Sequence, residues 1–346
     1  MSSESIRLTQ FAHGAGCGCK ISPSVLKEIL LNQRDNSAYP DLLVGNAAND
    51  DAAVLDLKNG TSLISTTDFF MPIVDDAFDF GAIAAANALS DVYAMGGKPV
   101  MSIAILGWPI EQLPASLASS VLDGARSICE KAGIPLAGGH TIDAKEPFFG
   151  LSVNGLVNTS NIKRNSGAQP GDLIYLTKPI GSGIITTAAR RLLDQDNDLK
   201  NAVNVMQALN VVGEHLALIS GVHAMTDVTG FGLLGHLFEM IDNQDVSAHI
   251  RYSEVPRLRG VEKYIEKFIY PDMTTKTYAW ISEHISELNG EQLLLLCDPQ
   301  TSGGLLLAVN PKDAAKVEEL LRENNCYSKP IGYFEKYQGK AIFVED

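Results

Sequence analysis

Residues 14–20 read Gly14-Ala15-Gly16-Cys17-Gly18-Cys19-Lys20, a segment in which three glycines could carry a thiol and an ammonium over a ligand. A thiol beside an ammonium is biased toward thiolate, its reactive form. The segment is similar to a phosphate-binding glycine loop but lacks that pattern. Cys19 stands where a second glycine should be, Ile21 where Ser or Thr should be, and no strand precedes it. Two other readings remain open: an unpacked N-terminal tail, and a metal site using His13, Cys17 and Cys19 with no evident fourth ligand. Cys129, Cys297 and Cys326 fall in helical or apolar stretches, where a small packing role suits them.

Aspartates form the second constellation. Asp50 and Asp51 precede a predicted strand over 52–57, and Asp68 ends one over 62–67. Asp91 follows Asn87 by one helical turn amid Ala84, Ala88 and Met95, and Asp227 ends a strand over 222–225. Carboxylates at such places are poorly solvated, and two of them ~4 Å apart repel by ~4 kcal/mol at a surface-like dielectric. A divalent cation reverses the sign. Magnesium suits the pattern, since it takes few carboxylates and completes its shell with water and phosphate oxygens. Each aspartate taken singly also suits a cap or turn. Glycine turns after strands complete the set: Gly138-Gly139-His140-Thr141, Thr226 to Gly232, and Pro299 to Gly304. Such turns let backbone N–H groups converge on phosphate.

The elements that would position these residues follow from periodicity. Ser22 and Pro23 start a short helix showing Val25, Leu26, Ile29 and Leu30, and Asn59-Gly60 joins the strands 52–57 and 62–67 as a hairpin. Asp79 caps a helix running to Met95, and a buried strand over 100–106 precedes an amphipathic helix over 114–132. Strands over 134–137 and 149–157 complete the first half, and the polar stretch 158–171 reads as a boundary. Beyond it come strands over 173–177, 222–225, 305–309, 331–334 and 341–344, with helices over 182–193, 201–219, 231–241 and 314–323. Both halves are α+β, with no fixed-period repeat.

Composition excludes several classes. The chain has 346 residues, about two domains' worth. With 41 acidic residues against 27 lysines plus arginines, the formal charge is −14, which argues against nucleic-acid and anionic-membrane binding. The apolar run 100–110 is interrupted by Ser102, Gly107 and Pro109, too short for a membrane helix. No basic-then-apolar leader opens the sequence, and five cysteines make no disulfide framework, so the cytoplasm is the expected location.

Taken together, these motifs resemble the selenophosphate synthetases (selenide, water dikinases) of the aminoimidazole ribonucleotide synthetase-like superfamily, essentially end to end. The resemblance runs through Leu8-Thr9-Gln10, residues 14–20, Asp50-Asp51-Ala52-Ala53-Val54, residues 65–70, Asn87 with Ser90-Asp91, Gly138-Gly139-His140, residues 225–232 and residues 297–304. The aspartates and glycine turns specify the superfamily, and Cys17 with Lys20 the selenide-using branch.

The resemblance implies a two-domain fold of mixed sheets packed with helices. It divides the chain into a mobile glycine-rich loop over 1–20, an ATP-binding and dimerisation domain over 21–157, and a C-terminal domain over 171–346. It also implies that ATP, selenide and water give selenophosphate, AMP and orthophosphate, activated selenium for selenocysteine and seleno-modified tRNA. Cys17 is then the essential active-site residue and Lys20 its basic partner, Lys20 also meeting the nucleotide. Asp51, Asp91 and Asp227 match magnesium ligands. Ala48, Asn49, Asp50, Asp68 and Asp91 match nucleotide-binding positions, as do Gly139, His140 and Thr141, which reach the partner subunit's site in a homodimer. Ala48 and Asn49 stand where bulkier polar residues often occur, so the resemblance carries over backbone contacts there. Other ATP-dependent members, such as a purine-pathway ligase or thiamine-monophosphate kinase, would share the aspartates without Cys17 and Lys20. A non-catalytic metal-binding module would instead hold zinc.

Overall fold

A computed structural model describes residues 6–21, 25, 28, 29, 39–45, 50–242 and 244–346. Ser22, Pro23, Leu26 and Leu30 of the expected first helix, and Ala48 and Asn49, lie outside the described residues.

The first half builds a sheet in the order β1-β2-β3-β6-β4-β5. Its strands are β1 (Leu42–Val44), β2 (Ala53–Asp56), β3 (Thr61–Phe70), β4 (Lys98–Trp108), β5 (Leu136–Asp143) and β6 (Phe148–Asn158). The Asn59-Gly60 hairpin forms as expected, with Asn59 Oδ1 accepting from Thr61 N at 3.0 Å and Gly60 at φ +86°. Strand β3 pairs along its full length with β6, and β4 runs parallel to β5. Helices α1 (Ala77–Ala94) and α2 (Ala115–Lys131) lie in this half. They cross closely because Gly81 and Gly124 lack side chains: a Cβ at either would meet Val121 O at 1.8 Å or Phe78 O at 2.0 Å.

The second half builds a sheet in the order β12-β9-β11-β7-β10-β8. It comprises β7 (Leu173–Leu176), β8 (Val222–Asp227), β9 (Val246–Arg251), β10 (Leu305–Val309), β11 (Pro330–Lys336) and β12 (Ile342–Glu345). Its helices are α3 (Ser182–Arg190), α4 (Asp198–Met206), α5 (Val212–Leu216), α6 (Gly232–Ile241), α7 (Glu262–Ile265), α8 (Asp272–Ile281), α9 (Gly290–Leu296) and α10 (Ala314–Glu323). Helix α1 is buried on nearly every side, as its alanine-rich sequence allows, since it packs on β3 and β6 and also on β8 and α5. Helix α1 is therefore the joint between the halves.

Several expected elements change. The α1 cap is Asp76, whose side chain accepts from Asp79 N at 2.8 Å, so Asp79 is inside the first turn. Asp68 sits within β3, because Phe69 and Phe70 continue the pairing. Gly138 to Thr141 lie in the edge strand β5 instead of forming a turn. The expected helix 201–219 breaks after Met206, where Asn210 turns inward to give Nδ2 to Ser90 Oγ (2.8 Å) and Gly303 O (2.9 Å). Strand β4 is not buried throughout. One face of the first sheet is covered by α1, while Leu55, Phe69, Val100, Met101, Ile103 and Leu156 remain exposed on this chain. No helix among the described residues is long and apolar enough to cross a membrane.

Candidate active site

Helix periodicity and strand alternation together build the floor of the site. Asn87, Ser90 and Asp91 share one face of α1, while Thr66 and Asp68, two apart on β3, share the face turned toward that helix. Thr66 Oγ1 donates to Asp91 Oδ2 at 2.5 Å, and Asn87 Nδ2 donates to Asp68 Oδ2 at 2.6 Å. From the second half, β8 ends in Asp227, which is hydrogen-bonded to Ser90, and Thr226 Oγ1 donates to Asp51 Oδ1 at 2.8 Å. Ser302 N donates to Asn87 Oδ1 at 2.8 Å. Lys178 braces the same loop, giving Nζ to Ser302 O (2.9 Å) and Ala208 O (2.6 Å).

Asp51, Asp91 and Asp227 are thus brought together, and each carboxyl is pushed above the ordinary range. Burial is the largest cause for all three, with repulsion from neighbouring aspartates adding to it. Asp50 is raised by burial too, and its Oδ1 accepts from Asn165 N at 2.9 Å. Asp51 Oδ2 and Asp227 Oδ2 are buried without a hydrogen bond among the described residues. Among those residues, no group of three or more His, Cys, Asp or Glu side chains is arranged to hold a metal ion by itself. An open set of carboxylates with unpartnered oxygens fits a hard cation that keeps water and phosphate ligands.

The glycine-rich segment covers this floor. The reading of an unpacked N-terminal tail does not hold, since Leu8, Ala12 and Cys17 are buried. Gly16 allows the approach: at φ +50° its Cβ would meet Thr301 Oγ1 at 2.4 Å and Ile73 Cδ1 at 2.6 Å. Cys17 N donates to Thr301 Oγ1 (3.1 Å) and Sγ to Asn87 Oδ1 (3.2 Å), leaving Cys17 1% exposed. Lys20 Nζ stands 3.8 Å from Asp68 Oδ2 with its side chain about a third open. Asp68 foremost, then Cys17, Asp91 and Asp227, hold the Lys20 ammonium protonated far above neutrality, against the opposing effect of burial. One amide, Asn87, therefore touches the thiol, the Lys20-paired carboxylate and the second half of the chain.

Other sequence candidates fall elsewhere. His13 is exposed and pairs through Nδ1 with Glu146 Oε2 at 2.7 Å, so it does not join the buried Cys17 in a metal site. Gly139 is level with Asp68 through Leu151 and Ala104. It lies three strands away, about 14 Å at ~4.8 Å per strand. Gly139, His140 and Thr141 are accordingly remote from this chain's carboxylates. Thr66, Ser90, Thr226, Thr301 and Ser302 fall inside the sequence motifs, but their side-chain roles were missed. Strand alternation alone could have found Thr66, which is two before Asp68.

Residues 49–157 match the AIR synthase related protein N-terminal domain, and residues 169–345 the corresponding C-terminal domain. A selenide, water dikinase of Enterobacter sp. (strain 638) is 53% identical over 345 residues, 100% of this chain and 99% of that protein. The chain belongs to the selenide, water dikinase family. Another member, from Colwellia psychrerythraea, is 56% identical over 330 residues, 95% of either chain. Among solved structures, a chain of the HypE–HypF complex superposes with a TM-score of 0.69 at 21% identity, covering 93% of this chain and 96% of its own, a likeness of fold.

The buried carboxyls set a pH dependence. Burial raises Asp298, beside α3, from 3.8 to about 8, despite hydrogen bonds from Gln300, Gly183 and Ile184. Between those values the folded protein holds a proton that the unfolded chain releases. This stability is fully present below 3.8 and lost as pH rises through about 8. We expect the thermal midpoint of the metal-free protein to fall from about pH 5 to 8, and Asp298→Asn to flatten that slope. Equal slopes in both proteins would refute this account.

Proposed function

We propose that this chain makes selenophosphate from selenide, ATP and water by closing the Cys17–Lys20 segment over the aspartate floor, with AMP and orthophosphate as the other products. The observation that carries the reading is the buried Cys17 thiol held on Asn87 beside the Lys20–Asp68 pair. ATP as substrate and selenide as acceptor follow from the family. Phosphoryl transfer requires positioning and charge neutralisation more than covalent help. Lys20 provides a fixed positive charge beside a reactive sulfur in a chain of net charge −14. The covering segment excludes water from the transfer to selenium and retains an easily oxidised substrate. Asp68 and Asp91, with the backbone of Ala48, Asn49 and Asp50, are assigned to the nucleotide. We place the enzyme in the cytoplasm, where its thiols stay reduced.

Product analysis from ATP with and without selenide under anaerobic conditions tests the whole reading: selenophosphate and AMP must both depend on selenide. Cys17→Ser and Lys20→Gln should each lower selenide-dependent turnover at least about a hundredfold while leaving the protein folded, whereas Cys19→Ser costs much less. Equal damage from Cys19→Ser and Cys17→Ser would show that the roles within the segment are misassigned.

Magnesium is assigned to Asp51, Asp91 and Asp227, whose crowded, partly unpartnered oxygens suit it. When bound, it would neutralise phosphate charge and turn these carboxylates from repulsive to attractive toward a triphosphate. Calorimetric titration of ATP at several magnesium concentrations should show affinity rising steeply with the metal. Asp51→Asn or Asp227→Asn should reduce that rise while leaving weak metal-free binding equal or stronger. Wild-type affinity independent of magnesium would sink the assignment.

A homodimer accounts for two features: the apolar open face of the first sheet, and an edge strand β5 carrying Gly139, His140 and Thr141 far from this chain's own carboxylates. We assign those three residues to the partner subunit's site. Light scattering should give a mass near twice 37.2 kDa at micromolar concentration, and a monomer would remove the assignment.

A further inference from the structure

The segment bearing Cys17 and Lys20 is fastened at its root by two side chains from opposite halves of the chain. Neither has a hydrogen bond to the aspartate floor or to Asn87. Asp75, between β3 and α1, accepts at Oδ2 from Arg7 Nε (2.7 Å) and at Oδ1 from Thr9 N (3.0 Å) and Thr9 Oγ1 (2.5 Å). Arg190, the last residue of α3, donates Nη1 to Gly14 O (3.3 Å) and Nη2 to Ala12 O (2.5 Å). Arg7 Nη2 closes the ring by donating to Arg190 O at 3.2 Å. Met71 O then accepts from Gly16 N at 3.0 Å, and the next residue is Cys17.

The same helix fixes where Cys17 arrives. At the start of α3, Gly181 N and Ser182 N (3.1 Å each) and Ser182 Oγ (2.9 Å) donate to Gln300 Oε1, and Gly183 N to Asp298 Oδ2 (3.0 Å). That loop presents Thr301 Oγ1 to Cys17 N. A nine-residue helix, about 13 Å long, thus holds the root of the segment with its last residue and the receiving loop with its first turn.

We propose that Asp75 and Arg190 are positioning residues that seat the Cys17–Lys20 segment over the aspartate floor, an inference resting on the reading of Cys17 and Lys20 as the reactive pair. Arg190 gives planar, paired donation to two carbonyls that bracket His13, which turns the imidazole outward and the following glycines inward. Asp75 fixes the chain one turn earlier through both backbone and side chain of Thr9. Without either anchor, the segment keeps its sequence and chemistry but spends less time docked, exposing the Cys17 thiol.

The experiment measures iodoacetamide alkylation of Cys17 by mass spectrometry, with buried Cys129 and Cys297 as internal controls. Wild type is compared with Asp75→Asn, Arg190→Gln and Arg190→Lys, without ATP or selenide. Each of the first two should raise the Cys17 rate about tenfold, leave Cys129 and Cys297 unchanged and lower selenide-dependent kcat. Arg190→Lys, which can still donate to one carbonyl, should recover part of both. An unchanged Cys17 rate overturns the proposal. So does a rise shared by all three cysteines, which marks general loosening, or a Cys17-specific rise with wild-type kcat. The alkylation readout needs no turnover, so a fully active Cys17→Ser enzyme would sink the functional reading while leaving the anchors to be judged by alkylation.

Discussion

Like charges buried together are the condition around which this molecule is arranged. Asp51, Asp91 and Asp227 come from a loop, a helix and a strand end in the two halves of the chain, and nothing local brings them into one place. Their mutual repulsion and lost hydration oppose the fold, and the surrounding residues offset that cost. Thr66, Thr226 and Ser90 each give a hydroxyl proton to one carboxylate. Lys20 adds a cation that feels Asp68, Asp91 and Asp227 together. Hydroxyls satisfy an oxygen without neutralising it, so the negative potential survives for a cation-bearing ligand.

Asn87 turns that field into an oriented site. Its amide oxygen accepts from Cys17 Sγ and Ser302 N, and its amide nitrogen donates to Asp68, so one planar group sets the thiol, the lysine's partner and the second half in fixed relation. A carboxylate there would repel Asp68, and an aliphatic group would release all three. The segment above can dock only because Gly16 has no Cβ and Thr301 offers an acceptor for the Cys17 amide.

The candidate site residues were legible because their types are scarce: a thiol and an ammonium among three glycines, and aspartates next to strands. Their surroundings were harder to read, for identifiable reasons. Gly138-Gly139 has the composition of a turn. In the fold Gly139 instead lets a parallel neighbour pass, with Ala104 O only 2.4 Å from where its Cβ would be. Asp68 seemed to end a strand because a charge interrupts apolar residues, but alternation places it on the helix-facing side while Phe69 turns to the open face. The packing of residues 8–17 depends on Ile73, Met71 and Thr301, which no local pattern connects to it. Strand β9, with alternating Val246, Ala248 and Ile250, was within reach of a period-two reading and was missed.

Helix α1 has a consequence for how the molecule comes apart. It is clad by the first sheet and α2 on one side and by β8 and α5 on the other, with Ala94 inside the second half's own apolar cluster. Neither sheet can lose its packing without stripping a flank of this helix. Two domains so joined melt as one cooperative unit, and the amide protons of α1 exchange with solvent only through that global opening. The helix that carries Asn87 and Asp91 should thus exchange slowly, while the segment that delivers Cys17, held by side chains at its root, should open on its own far more often.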